Sequence, residues 1–396
     1  MPILTRYVLF DLLKVFLVSL TGMTVFFLLV GVFTEAYKQG LGMMQVFLLV
    51  PYVLPQALLF AIPAAILFSS SSVFGRLSSA NEVVAVKASG ISPMVLLWPA
   101  VILAFLLSLL TVWVNDLAVS WGREGMTRVV LESVEEIAYS RLRQQRSYSS
   151  KQFSINVKDV DGKKLIRPTI TLGGSDDDGP TTITCEEATL HSDLEAQTLT
   201  ISCSNSLIDY NGVTIDSPIP IEREIPLGEA SKSGNNGTIS PSNLALSIIP
   251  TAKTQQRQRI QELEEQMATQ ASYQMITGSF LDLSSGQNWG KLQQQLTAAK
   301  QRLYRLEMEP YRRWANGFSC FCFVLVGAPL AITMRNSDFL TSFFMCFLPI
   351  LIFYYPLMAF GVSQAKSGDF PSFGVWAGNI VLIGIGVWCI RKVCRY

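Results

Sequence analysis

The chain has 396 residues, of which 49% are hydrophobic and only 15% charged, with a formal net charge of +1. A soluble domain carries about 25% charged residues, so this composition excludes a purely soluble protein. The near-neutral balance says nothing about nucleic acid, and no basic and aromatic patch argues for such a partner.

The charge deficit is confined to the two ends of the sequence, where apolar runs are long enough to cross a hydrocarbon core of about 30 Å. The first run is Leu12–Thr34, too long for the apolar part of a signal peptide and without a small-residue cleavage site, so it reads as a retained anchor. Glu35 and Lys38 follow at its outer end. They form a solvated interfacial pair, or Lys38 meets an anionic headgroup. The second run is Val46–Phe74, and behind it "GRLSSANEVVAVKASGIS" (75–92) is a polar island. Ser79 with Glu82 matches a capping box, Val83, Val84 and Val86 give an apolar face, and Gly90 and Pro93 close the segment. That predicts a short helix within 78–90, more structure than a simple turn requires. Met94–Val114 is the third run, ending near Asp116.

The middle of the chain is hydrophilic. Residues 121–140 have helical texture, and from about 147 to 228 the pattern changes to period two. In "FSINVKDV", Phe153, Ile155 and Val157 share one face, and "DVDGKK" is a turn. Short alternating strands of this kind predict a β-sandwich or jelly-roll. Cys185 and Cys203 fall on adjacent strands, nearly symmetric about their turn, and are disulfide candidates in an oxidising compartment. "GEASKSGNNGT" (228–238) is a flexible break, and residues 251–309 are Gln-, Glu- and Arg-rich with helical spacing, predicting a helical hairpin. Three further runs close the chain: Trp314–Met334, Phe339–Val362 and Phe373–Ile390.

The fold class expected is therefore an α-helical integral membrane protein with six spans, an inserted β-jellyroll domain and a helical hairpin. The expected division is 1–120 for spans one to three, 121–250 for the β domain, 251–312 for the hairpin and 313–396 for spans four to six. Six spans place both termini on one side. Arg6, Lys14, Arg76, Lys87, Arg335, Arg391, Lys392 and Arg395 lie on that side, against Lys38 and Lys366 in the short loops opposite. Positive charge stays cytoplasmic, so both termini and the 75–92 island are expected inside and the β domain outside.

Catalytic signals are sparse. His191 is the single histidine and sits in a predicted hairpin connection, "DDD" (176–178) reads as a solvated acidic loop, and no H-E-x-x-H, G-x-S-x-G or Walker A motif is present. No catalytic residue, metal site or cofactor is assigned, and the chain reads as a non-enzyme.

"LVPYVLPQALLFAIPAAILFSSSSVFGRLSSANEVVAVKASGIS" resembles the most recognisable segment of the lipopolysaccharide-export permeases, the paired membrane subunits of the Lpt ABC transporter. The resemblance extends through "TITCEEATL" and "LTISCSNSLIDY", the "E-x-x-P-Y-R-R-W" approach to span four (Glu307 to Trp314) and "VLVGAPLAI". It implies a bacterial inner-membrane location, a periplasmic jelly-roll, an ABC ATPase dimer in the cytoplasm, and a second permease subunit, paralogous or identical. It also implies periplasmic jelly-roll bridge proteins and a lipopolysaccharide or related glycolipid as cargo. Glu82 matches the acidic residue of the family's coupling helix, which with Val83, Val86 and Lys87 would meet the ATPase. Lys38 matches a phosphate-contacting position, and Phe153, Ile155 and Val157 would line the lipid path. The hairpin at 251–309 is an insertion beyond the common pattern. The competing expectations are a membrane-anchored periplasmic assembly or sensor protein, and an intramembrane hydrolase, for which the spans offer no pair of catalytic residues.

Overall fold

A computed structural model describes residues 3–39, 43–132, 138–139, 142–143, 146–149, 153–162, 164–172, 181–193, 198–210, 213–217, 221–226, 240–278, 287–334 and 339–395. The "DDD" loop at 176–178 lies outside them. Contacts divide the chain into two compact units: residues 1–28, 54–120 and 241–396, and residues 29–53 and 121–240.

The first unit is a helical bundle. Its helices are α1 (Ile3–Gln39) and α2 (Met43–Ser79), whose stretch 29–53 falls in the second unit, the short α3 (Glu82–Ala88) and α4 (Met94–Leu117), followed after the sheet by α6 (Ile249–Thr277), α7 (Gln287–Thr333), α8 (Phe339–Pro349), α9 (Tyr355–Ser367) and α10 (Ala377–Arg395). A single π-turn, Ile350–Tyr354, joins α8 to α9 after Pro349. Among the described residues, six helical segments are long and apolar enough to cross a membrane, in the order expected from the sequence. Helices are the form such segments take because lipid offers no partner to an unsatisfied backbone N–H or C=O.

Helix α7 is the bundle's axis: 78% of its most apolar window is buried, against 11% for α1 and 17% for the α8–α9 span. It packs on α4 and α10 through small residues. A Cβ added at Gly317 would lie 2.3 Å from Val112 Cγ2, and one at Gly386 would lie 2.9 Å from the Leu325 carbonyl oxygen. Without a hydrophobic driving force in lipid, such close backbone approach is what holds helices together. Leu12, Ile66, Phe74, Leu97, Val324 and Leu382 belong to the shared core.

Outside that core α6 and α7 form the expected hairpin. Ile260 and Leu263 of α6 pack with Ala299 of α7, flanked by Leu292, Leu296 and Leu303. Arg257 and Glu307 pair at 2.9 Å, as do Lys300 and Glu264. The 29 residues of α6 give a length of about 40 Å. Pro310 does not break α7, which runs as one helix of 47 residues from hairpin to span.

Among its described residues the second unit holds α5 (Arg123–Glu132) and nine antiparallel strands: β1 (Ser147–Ser149), β2 (Phe153–Asn156), β3 (Asp159–Asp161), β4 (Lys164–Ile166), β5 (Thr169–Leu172), β6 (Thr181–Asp193), β7 (Thr198–Tyr210), β8 (Val213–Ser217) and β9 (Ile221–Pro226). The predicted turn at "DVDGKK" is present between β3 and β4, where Asp161 pairs with Lys164 and Gly162 takes φ +60. The long β6–β7 ribbon bends midway. Alternation breaks at Glu186–Glu187 and Ser204–Asn205, all four exposed, and Asn205 has φ 50, a left-handed conformation Asn tolerates. On one side of the bend β6 pairs with β5 and β7 with β8; on the other, β6 pairs with β4 and β7 with β9. The sheet thereby curls into two leaves. Ile155, Ile170 and Ile183 from one and Leu165, Leu190 and Ile201 from the other share a single apolar core. His191 lies on β6 opposite Thr200, in a strand rather than the polar connection expected.

Candidate functional site

Three places in the structure hold the residues the sequence singles out. At the end of the bundle where both chain termini lie, α3 joins α2 to α4. The expected capping box is not formed. Ser79 is the last residue of α2, its Oγ donating to the Arg76 carbonyl at 3.0 Å. Asn81 instead occupies the N-cap position with φ 59 and makes no side-chain cap bond. A residue able to adopt the left-handed conformation lets the chain reverse within two residues, which a β-region cap would not.

The faces of α3 divide sharply. Val83 is 3% exposed and belongs to the bundle core, with Val86 packed against it, whereas Val84 is 42% exposed. Val83 therefore faces the bundle, its spacing setting it on the inward side of a short helix. Glu82 lies in the first turn, half-buried at the rim. Lys87 also turns inward: its Nζ donates to the Val393 carbonyl in the last turn of α10 at 2.8 Å. Glu82, Val84 and the exposed Ala85 and Ala88 remain as the outward set.

At the other end of span three lies a buried ion cluster. Arg313 is 1% exposed and Glu309 2%. The Arg313 guanidinium meets Glu309 Oε1 and Asp116 Oδ1, both at 3.3 Å, and donates to the Leu244 carbonyl at 2.5 Å. Arg312 grips the same Glu309 carboxylate with two bonds of 3.0 and 2.6 Å, and Asp116 accepts the Leu246 amide at 2.9 Å. A buried charge is tolerable only with such full pairing, and it joins α4, α7 and the segment returning from the sheet. The available signal was Glu309 four residues ahead of Arg313, one turn away on the same helix face.

In the sheet, Ile155 and Val157 are buried in the apolar core. Phe153 is in β2 opposite Leu172 and Lys38 is in the last turn of α1; their side chains lie outside what is described. Cys185 and Cys203 are both buried, free thiols. The register sets Cys203 opposite Ala188 and Cys185 opposite Ser206, so the two are diagonal neighbours across the bend. A hydrogen bond with the Cys203 sulfur, together with burial, pushes the Cys185 thiol well up from its ordinary range.

The three places are a surface helix, a buried fastening and an apolar interior. No curated protein matches the chain. The family described as lipopolysaccharide export system permease LptF/LptG matches it over residues 6–392, across both units and all six spans. With nearly the whole length covered, the chain belongs to the LptF/LptG family of lipopolysaccharide export permeases.

Proposed function

We propose that the chain is the permease subunit of an ATP-driven exporter that extracts lipopolysaccharide or a related glycolipid from the inner membrane and passes it to a periplasmic bridge. A separate ABC ATPase dimer supplies the energy, and a second permease subunit, a paralogue or an identical copy, completes the membrane part. The observation that carries this reading is α3: a discrete helix between two spans, fixed to its own bundle on one side and presenting Glu82 and Val84 on the other. Glu82 is the contact an ATPase groove would hold by charge-assisted bonds.

Orientation follows from the excess of Lys and Arg around the termini and α3, which puts them in the cytoplasm and the sheet in the periplasm. Lys38 then meets the glycolipid phosphate at the outer face, and acyl chains enter the sheet interior beside Phe153, Ile155 and Val157. In that oxidising compartment Cys185 and Cys203 are candidates for a disulfide. The sparse burial of α1 and of the α8–α9 span supports a second subunit against them.

Purification from membranes in mild detergent, followed by mass spectrometry of bound proteins and lipids, tests this. The account expects an ABC ATPase, a second permease subunit and a glycolipid, and loss of the ATPase from the Glu82→Lys variant. Removing a charged partner at an interface costs about 2–5 kcal/mol. Recovery of the chain with periplasmic proteins but no nucleotide-binding subunit would instead favour a membrane-anchored assembly protein.

A further inference from the structure

The stretch from Ser78 to Lys87 reaches two spans to which it is not directly joined. Ser78 is buried at the end of α2, and its Oγ donates to the Ile332 carbonyl at 2.7 Å. Ile332 lies in the last turn of α7, span four. Lys87 Nζ donates to the Val393 carbonyl at 2.8 Å, in the last turn of α10, span six. Both acceptors are carbonyls of a helix's final turn, which have no partner within their own helix and carry the negative end of its dipole. The Lys87 bond is charge-assisted and partly shielded from water, the class that holds geometry best.

We propose that residues 78–87 act as a bracket, in which Ser78 and Lys87 pass ATPase-driven movement of α3 directly to spans four and six, as well as through the chain to spans two and three. The proposal rests on the reading of α3 as the ATPase docking helix and adds two positioning residues to it. Span four is the buried axis of the bundle, so a push delivered to its end reaches every span packed on it. The same helix continues as one arm of the hairpin, and where arm passes into span it is fastened to span three through Arg313 and Asp116. Lys87 serves here as an internal strut rather than as a cation offered to the partner.

The test is the number of ATP molecules hydrolysed per glycolipid released, measured with the full chain and its copurified ATPase in proteoliposomes containing lipopolysaccharide. Lys87→Met keeps the apolar stem and removes the donor. The ratio is expected to rise about tenfold, the effect of losing one charge-assisted hydrogen bond in the state that does the work. Lys87→Arg should bring it back to within about twofold, because a guanidinium also reaches a carbonyl. Simple loss of folded protein lowers hydrolysis and release together and leaves the ratio where it was. A second variant, Lys87→Cys in a Cys394→Ser chain, compares one preparation before and after aminoethylation of the thiol, which rebuilds a lysine-like ammonium at the same reach. The ratio should be high before the treatment and low after it. An unchanged ratio in Lys87→Met and across the aminoethylation overturns the bracket. If Glu82→Lys still detaches the ATPase, the docking reading survives that failure; if no ATPase copurifies with the unmodified chain, both fall.

Discussion

Arg313 shows how a single side chain can fix three segments at once. Its guanidinium is enclosed between Glu309, Asp116 and the Leu244 carbonyl, so removal of the buried Glu309 leaves the guanidinium charge without that partner in a place shielded from water. Glu309→Ala is expected to destabilise the protein by about 3–5 kcal/mol, and Asp116→Ala by less, since its side chain is 37% exposed and solvent can replace it. Thermal unfolding in detergent measures both; equal, small shifts would mean the cluster is solvated. The i, i+4 spacing of Glu309 and Arg313 is readable in the sequence. Their burial is not, because it depends on the 241–246 segment, which is distant in sequence. The valines of α3 carry the same lesson. Spacing makes Val83, Val84 and Val86 a single apolar patch, while the structure sends Val83 inward and Val84 out. Val83→Ala should cost about 2 kcal/mol of stability through the cavity it leaves. Val84→Ala should leave unfolding unchanged and weaken ATPase copurification. A reversed pattern would mean that α3 is turned the other way.

At the scale of elements, periodicity was informative wherever one face is buried and the other wet. The alternation of β2 and the helical spacing of 251–309 both place elements where the structure has them, because each repeat must bury its apolar side. Two features depend on single residues that override their neighbours. Pro310 lies inside α7 without breaking it, so hairpin arm and span are one rod. Asn205 bends the β6–β7 ribbon, a choice of backbone angle that composition does not announce. The hairpin's own stability is local. Leu263 is 3% exposed in a small cluster away from the bundle core, so Leu263→Ala should loosen α6 by about 2–4 kcal/mol. Hydrogen exchange should then quicken along α6 while the spans keep their protection. Uniform quickening throughout would show that the hairpin and bundle unfold together.

At the scale of the molecule, the six spans were legible because length and apolarity alone decide what can cross lipid. Which spans are enclosed and which are left bare was not legible, since all six read as uniformly apolar and only packing through residues such as Gly317 and Gly386 sorts them. The family follows from a match over residues 6–392, and the cargo and energy source proposed for it make one demand on the second unit. Its apolar interior must receive acyl chains. Ile155 is fully buried there, on a strand of the curled sheet, and reports on that interior alone. A photo-crosslinking amino acid at position 155, in the complete complex in lipopolysaccharide-containing proteoliposomes, is the most direct measurement. The account predicts a glycolipid adduct that forms with ATP and is absent without it. An actively exporting complex that yields no adduct at 155 with ATP present would contradict it.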